Sequence, residues 1–195
     1  MSTPRIAGGR HRGRPLSVPE GRDVRPTASR AREALFNILL HAGWGDGGTS
    51  PLPGARVLDT FAGAGILGLE ALSRGAAHAS FMDKAPEAVR VVGDNARFLK
   101  ETENVKVMRA DATQPPTAPP SAACDLVFLD PPYYSDLGPR ALAALARAGW
   151  LASGAICSLE VAYNQDVAAP EGFTPIDERR YGKAKLLFFR YGTAP

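Results

Sequence analysis

Asp130-Pro131-Pro132-Tyr133 directly follows the apolar run Leu126–Leu129. Its four residue types suit group transfer onto an exocyclic amine whose lone pair is delocalised into an aromatic base. The Asp130 carboxylate and the Pro131 carbonyl can together accept both amine hydrogens, draw the nitrogen toward tetrahedral geometry and stabilise the charge that develops during attack. Two consecutive prolines fix the direction of that carbonyl and add no competing N–H. Tyr133 can stack on an unpaired or extruded base. The plain alternative is a rigid turn leaving a strand. Against it, residue frequencies make Asp-Pro-Pro-aromatic a chance event at roughly a few per thousand.

A second constellation is Asp59-Thr60-Phe61-Ala62-Gly63-Ala64-Gly65-Ile66-Leu67-Gly68. Glycines at this spacing, between a strand and a helix, let the backbone turn tightly and let a nucleotide-type ligand approach the helix amino terminus. The pattern alone fits a dinucleotide as well as S-adenosylmethionine, and Asp83 at the next strand end would bind ribose hydroxyls in either case. Asp59 separates the two: it attracts the cationic aminoacyl end of S-adenosylmethionine and repels a pyrophosphate. The donor is therefore read as S-adenosylmethionine, with direct in-line transfer of its methyl group assisted by proximity and alignment.

These residues need a scaffold, and the pattern of the chain supplies one. ARVLD, HASFMD, VKVMRAD, DLVFLD and GAICSLEV are short apolar runs ending at or near a carboxylate. ILGLEALSRG, PEAVRVVGDNARFL and GPRALAALARAG are helical runs between some of them. Such alternation implies an α/β fold with a parallel sheet covered on both faces, its ligands bound at the carboxyl ends of the strands. The crossover ATQPPTAPPSAAC is too proline-rich for a helix and is expected to be a stiff extended loop. FTPIDERRY and KAKLLFFRY, separated by Gly182, predict a terminal antiparallel hairpin that completes seven strands.

Ahead of the sheet, RPTASRAREALFNILLHAG predicts a helix capped by Thr27 or Ser29 and ended by Gly43, with Ala31, Leu35, Ile38 and Leu39 on its apolar face. Before it, RIAGG and RHRGRPLSV suggest a small basic hairpin turning at Gly8-Gly9. Residues 1–24 thus read as a basic extension and 25–195 as the catalytic domain. The formal charge is only +3, yet Arg5, Arg10, Arg12, Arg14, Arg25 and Arg30 lie near the start. Arginine forks pair with phosphate and stack on bases, which favours an RNA or DNA partner over a merely solvated tail.

Other classes are disfavoured. No apolar run reaches the roughly 20 residues of a membrane span. The basic start has no apolar segment behind it, so no secretory signal is read and a cytoplasmic location is expected. Cys124 and Cys157 sit apart in apolar company, as buried thiols do, and His11, His41 and His78 have no ligand spacing. Metal-independent chemistry is expected.

With R-P-T-x-x-R-x-R-E-A-L-F-N ahead of the sheet, D-x-F-A-G-x-G-x-x-G-x-E-A-L-S-R-G in the loop and L-D-P-P-Y at the fourth strand, the chain resembles bacterial small-subunit rRNA guanine-N2 methyltransferases, the guanine-966 family. The resemblance runs from RIAGG to the closing YGKAKLLFFRY. It implies a Rossmann-like class I methyltransferase fold with a reversed terminal strand, S-adenosylmethionine as donor, and a guanine of 16S rRNA, within the small ribosomal subunit, as acceptor. It places Phe61, Ala62, Gly63 and Gly65 on the donor loop, with Gly68 closing the motif. Asp83 with Lys84 falls at the ribose, Asp111-Ala112 at the adenine edge, and Arg25, Pro26, Thr27 and Arg30 on a segment closing over donor or RNA. Asp130, Pro131, Pro132 and Tyr133 match the catalytic tetrad. Asp83 departs from the pattern, which more often has the longer Glu.

Three other readings compete. A DNA or RNA adenine-N6 methyltransferase, or a protein glutamine methyltransferase, uses the same tetrad; the lack of a sizeable target-recognition domain argues against a sequence-specific DNA enzyme. A nicotinamide-dependent oxidoreductase has only the glycine pattern in its favour. A non-enzymatic RNA-binding protein would leave Asp130 and Tyr133 unused. The chain is expected to act as a monomer.

Overall fold

A computed structural model describes residues 3–20 and 26–192, without the side chains of 26–29. Seven strands form one sheet in the order β3-β2-β1-β4-β5-β7-β6. They are β1 (Arg56–Thr60), β2 (His78–Asp83), β3 (Val105–Arg109), β4 (Cys124–Leu129), β5 (Leu151–Ala162), β6 (Phe173–Tyr181) and β7 (Ala184–Tyr191). The first five run parallel, and β7 lies antiparallel between β5 and β6. This is the expected mostly parallel sheet with its reversed terminal hairpin. All of β1 after Arg56 is buried, and so is all of β4 except Asp125, the near-continuous burial of strands covered on both faces.

Four helices provide that cover: α1 (Pro26–His41), α2 (Ile66–Ser73), α3 (Pro86–Leu99) and α4 (Leu137–Arg147). One core layer joins Leu35, Phe36 and Leu39 of α1 to Val57, Phe81, Phe128 and Phe188 of the sheet; the other joins Leu142 and Leu145 of α4 to Leu58, Leu129, Cys157 and Leu159. Both cysteines are buried, and burial raises their thiols, Cys124 to about 12, so neither is a nucleophile at neutral pH.

Helix α1 corrects the expected cap. It begins at Pro26, so Thr27 and Ser29 fall inside its first turn. Proline is well suited to a first helical position because its fixed φ is already helical and its missing N–H would have had no partner there. The crossover from β3 to β4 contains no helix, as expected. It is pinned at two points: the indole N–H of fully buried Trp150 donates to Pro116 O at 2.8 Å, and Ala118 N–H donates to Ala148 O at 2.8 Å.

The basic amino-terminal segment is a narrow hairpin. Arg5 bridges Pro15, Leu16 N–H donates to Pro4 O and Gly13 N–H to Ile6 O, each at 2.8 Å. The reversal does not occur as a two-residue turn at Gly8-Gly9; it runs through a 3-10 turn over Gly9–His11. Docking explains the wider tip. Ala7 and Gly8 N–H donate to the fully buried Glu70 carboxylate at 2.7 and 2.8 Å, and His11 N–H donates to Ser73 Oγ at 2.9 Å. Ile6 and Leu16 join the α1 core layer. The expected boundary between residues 24 and 25 lies outside the described residues. No described helix is long and apolar enough to cross a membrane.

Candidate active site

The strand order reverses direction between β1 and β4, and a cavity of about 730 Å³ opens there at the carboxyl ends of the strands. The five parallel strands each deliver one carboxylate to its wall: Asp59 from β1, Asp83 from β2, Asp111 just past β3, Asp130 from the end of β4 and Glu160 from β5. A site so acidic suits a cationic ligand and opposes a phosphate-rich one.

The loop after β1 is held by these carboxylates. Phe61 adopts a φ of 57°, a left-handed conformation that a bulky residue keeps only when its surroundings enforce it. Gly63 N–H donates to Asp83 Oδ2 at 2.9 Å, and Ala85 N–H donates to Asp83 Oδ1 at 2.9 Å. Asp83 thus ties the loop to the start of α3, while each oxygen retains a second lone pair for a ligand hydroxyl. Phe61, Ala62, Gly63, Lys84 and Ala112 also line the cavity.

Gly65 and Gly68 stand behind that wall. A Cβ at Gly68 would lie 2.4 Å from Phe81 Cε1 and 2.6 Å from Cζ, and one at Gly65 would lie 3.1 Å from the same ring. Beside their expected place in the donor loop they have a packing role: their missing side chains let α2 and its leading turn press on β2, as a last glycine does in such loops. Gly68→Ala is expected to destabilise the fold by about 1–3 kcal/mol, because the fully buried Phe81 ring has nowhere to yield. Urea unfolding measures this, and an unchanged midpoint would show that the ring yields.

Asp59 is 2 % exposed, and its Oδ2 accepts the Gly68 N–H at 2.9 Å. Desolvation raises its pKa well above the usual carboxylate range; the Gly68 bond opposes the rise, and the charges of Asp130 and Asp83 add to it. Asp111 behaves oppositely. The Thr113 hydroxyl and N–H donate to its Oδ1 at 2.7 and 2.8 Å and hold its pKa below the usual range despite some burial.

Asp130, Pro131, Pro132 and Tyr133 line the same cavity, past the end of β4, the strand beside β1 and its glycine loop. The loop that follows is tied to the chain beyond β5: Tyr134 N–H donates to Gln165 Oε1 at 2.8 Å, and Gln165 Nε2 donates to Ser135 O at 3.0 Å. Tyr133 OH donates to Glu160 Oε1 at 2.6 Å. Glu160 was absent from the site read in the sequence, although its run ends at a carboxylate like the others. Val18 and Pro19 were also missed. They close one side of the cavity, held by Asn95, whose Nδ2 donates to Ser17 O and to Ala64 O of the loop, both at 2.9 Å.

The arginines divide by environment. Arg10 donates to the nearly buried Glu101, Nε to Oε1, at 2.8 Å, and His11 meets the same oxygen. Burial alone would raise Glu101, but hydrogen bonds from Asn104, His11 and Arg10 outweigh it and hold the carboxyl below the usual range. Arg14 donates to Phe98 O at 2.9 Å and lies 4.5 Å over the Phe98 ring, and Arg5 donates to Gly13 O at 2.8 Å. These three hold the hairpin to itself or to α3 and the turn after it. Arg12 and Arg30 are exposed. Arg25 lies outside the described residues, as does the Thr27 side chain.

Residues 4–190 match the model of the family described as Conserved hypothetical protein 95. The chain belongs to this family. Within it, the chain is 32 % identical over 182 residues to Ribosomal RNA small subunit methyltransferase D of Haemophilus influenzae, covering 91 % of this chain and 89 % of that one. It is 37 % identical over 156 residues to the protein of the same name from Escherichia coli K12, covering 80 % and 73 %. A solved Escherichia coli structure named as a methyltransferase, yhhF, superposes with a TM-score of 0.80 at 32 % identity, covering 99 % of this chain and all of that one. The fold is therefore the Rossmann-like class I methyltransferase fold, and the cavity lies where such folds hold their ligands.

Proposed function

We propose that this chain transfers a methyl group from S-adenosylmethionine to the exocyclic N2 of a guanine in the 16S rRNA of the small ribosomal subunit. The relatives' names support an rRNA methyltransferase. The observation that carries the chemistry is that Asp130-Pro131-Pro132-Tyr133 and the glycine loop line one acidic cavity.

The residues present fit the donor. Asp59 would meet the ammonium of its aminoacyl arm, Asp83 its ribose hydroxyls, and Asp111-Ala112 its adenine edge. Bound there, S-adenosylmethionine supplies an electrophilic methyl on a cationic sulfur. Asp130 and the Pro131 carbonyl accept the two hydrogens of the guanine amine and aim its lone pair at that methyl. Asp130 would take the proton that the amine loses on methylation, the donor leaving as a neutral thioether, and its carboxylate would balance the charge developing on nitrogen. Tyr133 stacks on the guanine and fixes its plane. Displacement needs only in-line alignment, so positioning and charge stabilisation carry the rate.

The hairpin offers the exposed Arg12, and α1 the exposed Arg30, to RNA phosphates. A single copy suffices, since all five carboxylates and the motif come from one chain. The test is methyl incorporation into small ribosomal subunits that lack the modification, followed by mapping of the modified nucleotide. A guanine carrying N2-methyl is expected; incorporation only into DNA or protein would overturn the reading.

A further inference from the structure

Glu160 lies where a base-reading group belongs. Leu129 of β4 is in register with Leu159 of β5, so Asp130 and Glu160 follow on adjacent strands. Neighbouring parallel strands are about 4.8 Å apart and register mates share a face, which sets these two carboxylates side by side on the cavity wall. Tyr133 OH occupies one position on Oε1. Among the described residues nothing donates to Oε2, although the side chain is half-buried and lines the cavity.

We propose that Glu160 reads the ring edge of the target base, accepting the N1–H of guanine while Asp130 and Pro131 hold the adjacent N2 amine, and so excludes adenine. The inference rests on the guanine-N2 reading above. Guanine presents an exocyclic amine and a ring N–H as neighbouring donors, which match two neighbouring acceptors. Adenine presents its amine beside N1, an acceptor, whose lone pair would face the carboxylate. A buried polar group left facing the wrong partner discriminates far more strongly than a hydrophobic contact does. Tyr133 holds Oε1 by donating its hydroxyl, which leaves Oε2 to face the base.

The deciding experiment uses small subunits reconstituted with either guanine or 2-aminopurine at the mapped position. 2-Aminopurine keeps the same exocyclic amine but has an unprotonated N1. Wild-type enzyme is expected to methylate guanine at least about 100-fold better. Glu160→Gln should collapse that preference by losing activity on guanine and keeping or gaining it on 2-aminopurine, to whose N1 its amide can donate. Tyr133→Phe removes the hydroxyl that meets Glu160 and should lower the rate with the preference retained. S-adenosylhomocysteine binding by Glu160→Gln, close to wild type, confirms a folded donor site. The inference is overturned if wild type does not distinguish the bases, or if Glu160→Gln lowers both in proportion as Tyr133→Phe does, since Glu160 would then only hold Tyr133. Methylation confined to a base other than guanine would instead overturn the function it rests on.

Discussion

Asp130→Asn is expected to cut methyl transfer by about 10²–10³-fold while S-adenosylhomocysteine binding stays within a few-fold of wild type. The substitution preserves shape and removes charge, so it separates positioning from electrostatics. Removing one group aimed at a developing charge typically costs about that factor in turnover. Asparagine can still accept one amine hydrogen, yet it offers no negative charge to the nitrogen as it becomes cationic and no site for the departing proton. The loss should therefore fall on kcat, with little change in KM for RNA. Single-turnover methylation of unmodified small subunits, with the donor prebound, measures the chemical step directly. A loss confined to KM would mean that Asp130 binds RNA rather than the reacting amine. Donor affinity is the internal control: Asp130 sits at the end of the strand next to Asp59 and its charge only reinforces the raised Asp59 pKa, so its loss should change donor binding little.

Much of this arrangement is written locally in the chain. Apolar runs ending in Asp59, Asp83, Asp111 and Asp130 predict both the strands and the carboxylates that project beyond them, because parallel strands buried on both faces leave polar residues only at their ends. The tetrad and the glycine loop are contiguous, so their residues could be read as units. What escaped depends on pairing between distant segments. Glu160 meets Tyr133 only because Leu159 lies in register with Leu129, and no local pattern fixes register. Strand β5 begins at Leu151, ahead of the run that predicts it, since the register shift between Cys124 and Leu126 accommodates extra residues between Leu151 and Ile156. Asn95 reaches Ser17 across 78 positions and brings to the cavity a segment that reads in the sequence as a small basic hairpin and extension. Composition likewise cannot tell Arg10, bound to buried Glu101, from Arg12, which is exposed.

The glycine loop shows how a correct motif can carry an incomplete reason. Its spacing marks one end of the cavity, and packing supplies a further reason for two of its glycines: Gly68 has no room for a Cβ against Phe81, and Gly65 combines a φ of 74° with close approach to Phe81 and Val92. The same compression brings the Gly68 N–H to Asp59 and fixes that carboxylate beneath the loop. Packing and ligand electrostatics are thus joined at one residue. Any change that loosens α2 on β2 also frees Asp59.

Asp59→Asn should in consequence raise stability while lowering donor affinity, two effects of opposite sign from one missing charge. In the empty protein desolvation, reinforced by Asp130 and Asp83, keeps the Asp59 pKa raised, so the folded state holds a proton that the unfolded chain releases near the ordinary carboxylate pKa. Its contribution to stability is full below that ordinary value and is lost progressively as pH rises through the folded-state pKa. Asparagine removes this loss and can keep the Gly68 N–H bond through its amide oxygen. The variant should therefore melt higher at neutral pH and lose part of the wild-type decline with pH. A donor ammonium beside Asp59 favours the ionised form, so binding to wild type should release a proton. Affinity should rise with pH up to the free-state pKa and then level off. In Asp59→Asn both the proton release and that pH dependence should vanish, and S-adenosylhomocysteine should bind about 100-fold or more weakly, as expected when one partner of a buried ion pair is removed. Calorimetric titration in buffers of different ionisation enthalpy measures the proton count. 5′-Methylthioadenosine, which lacks the aminoacyl arm, locates the contact: its affinity should be nearly unchanged by the substitution. Equal losses for both ligands would show that Asp59 acts only through the shape of the loop.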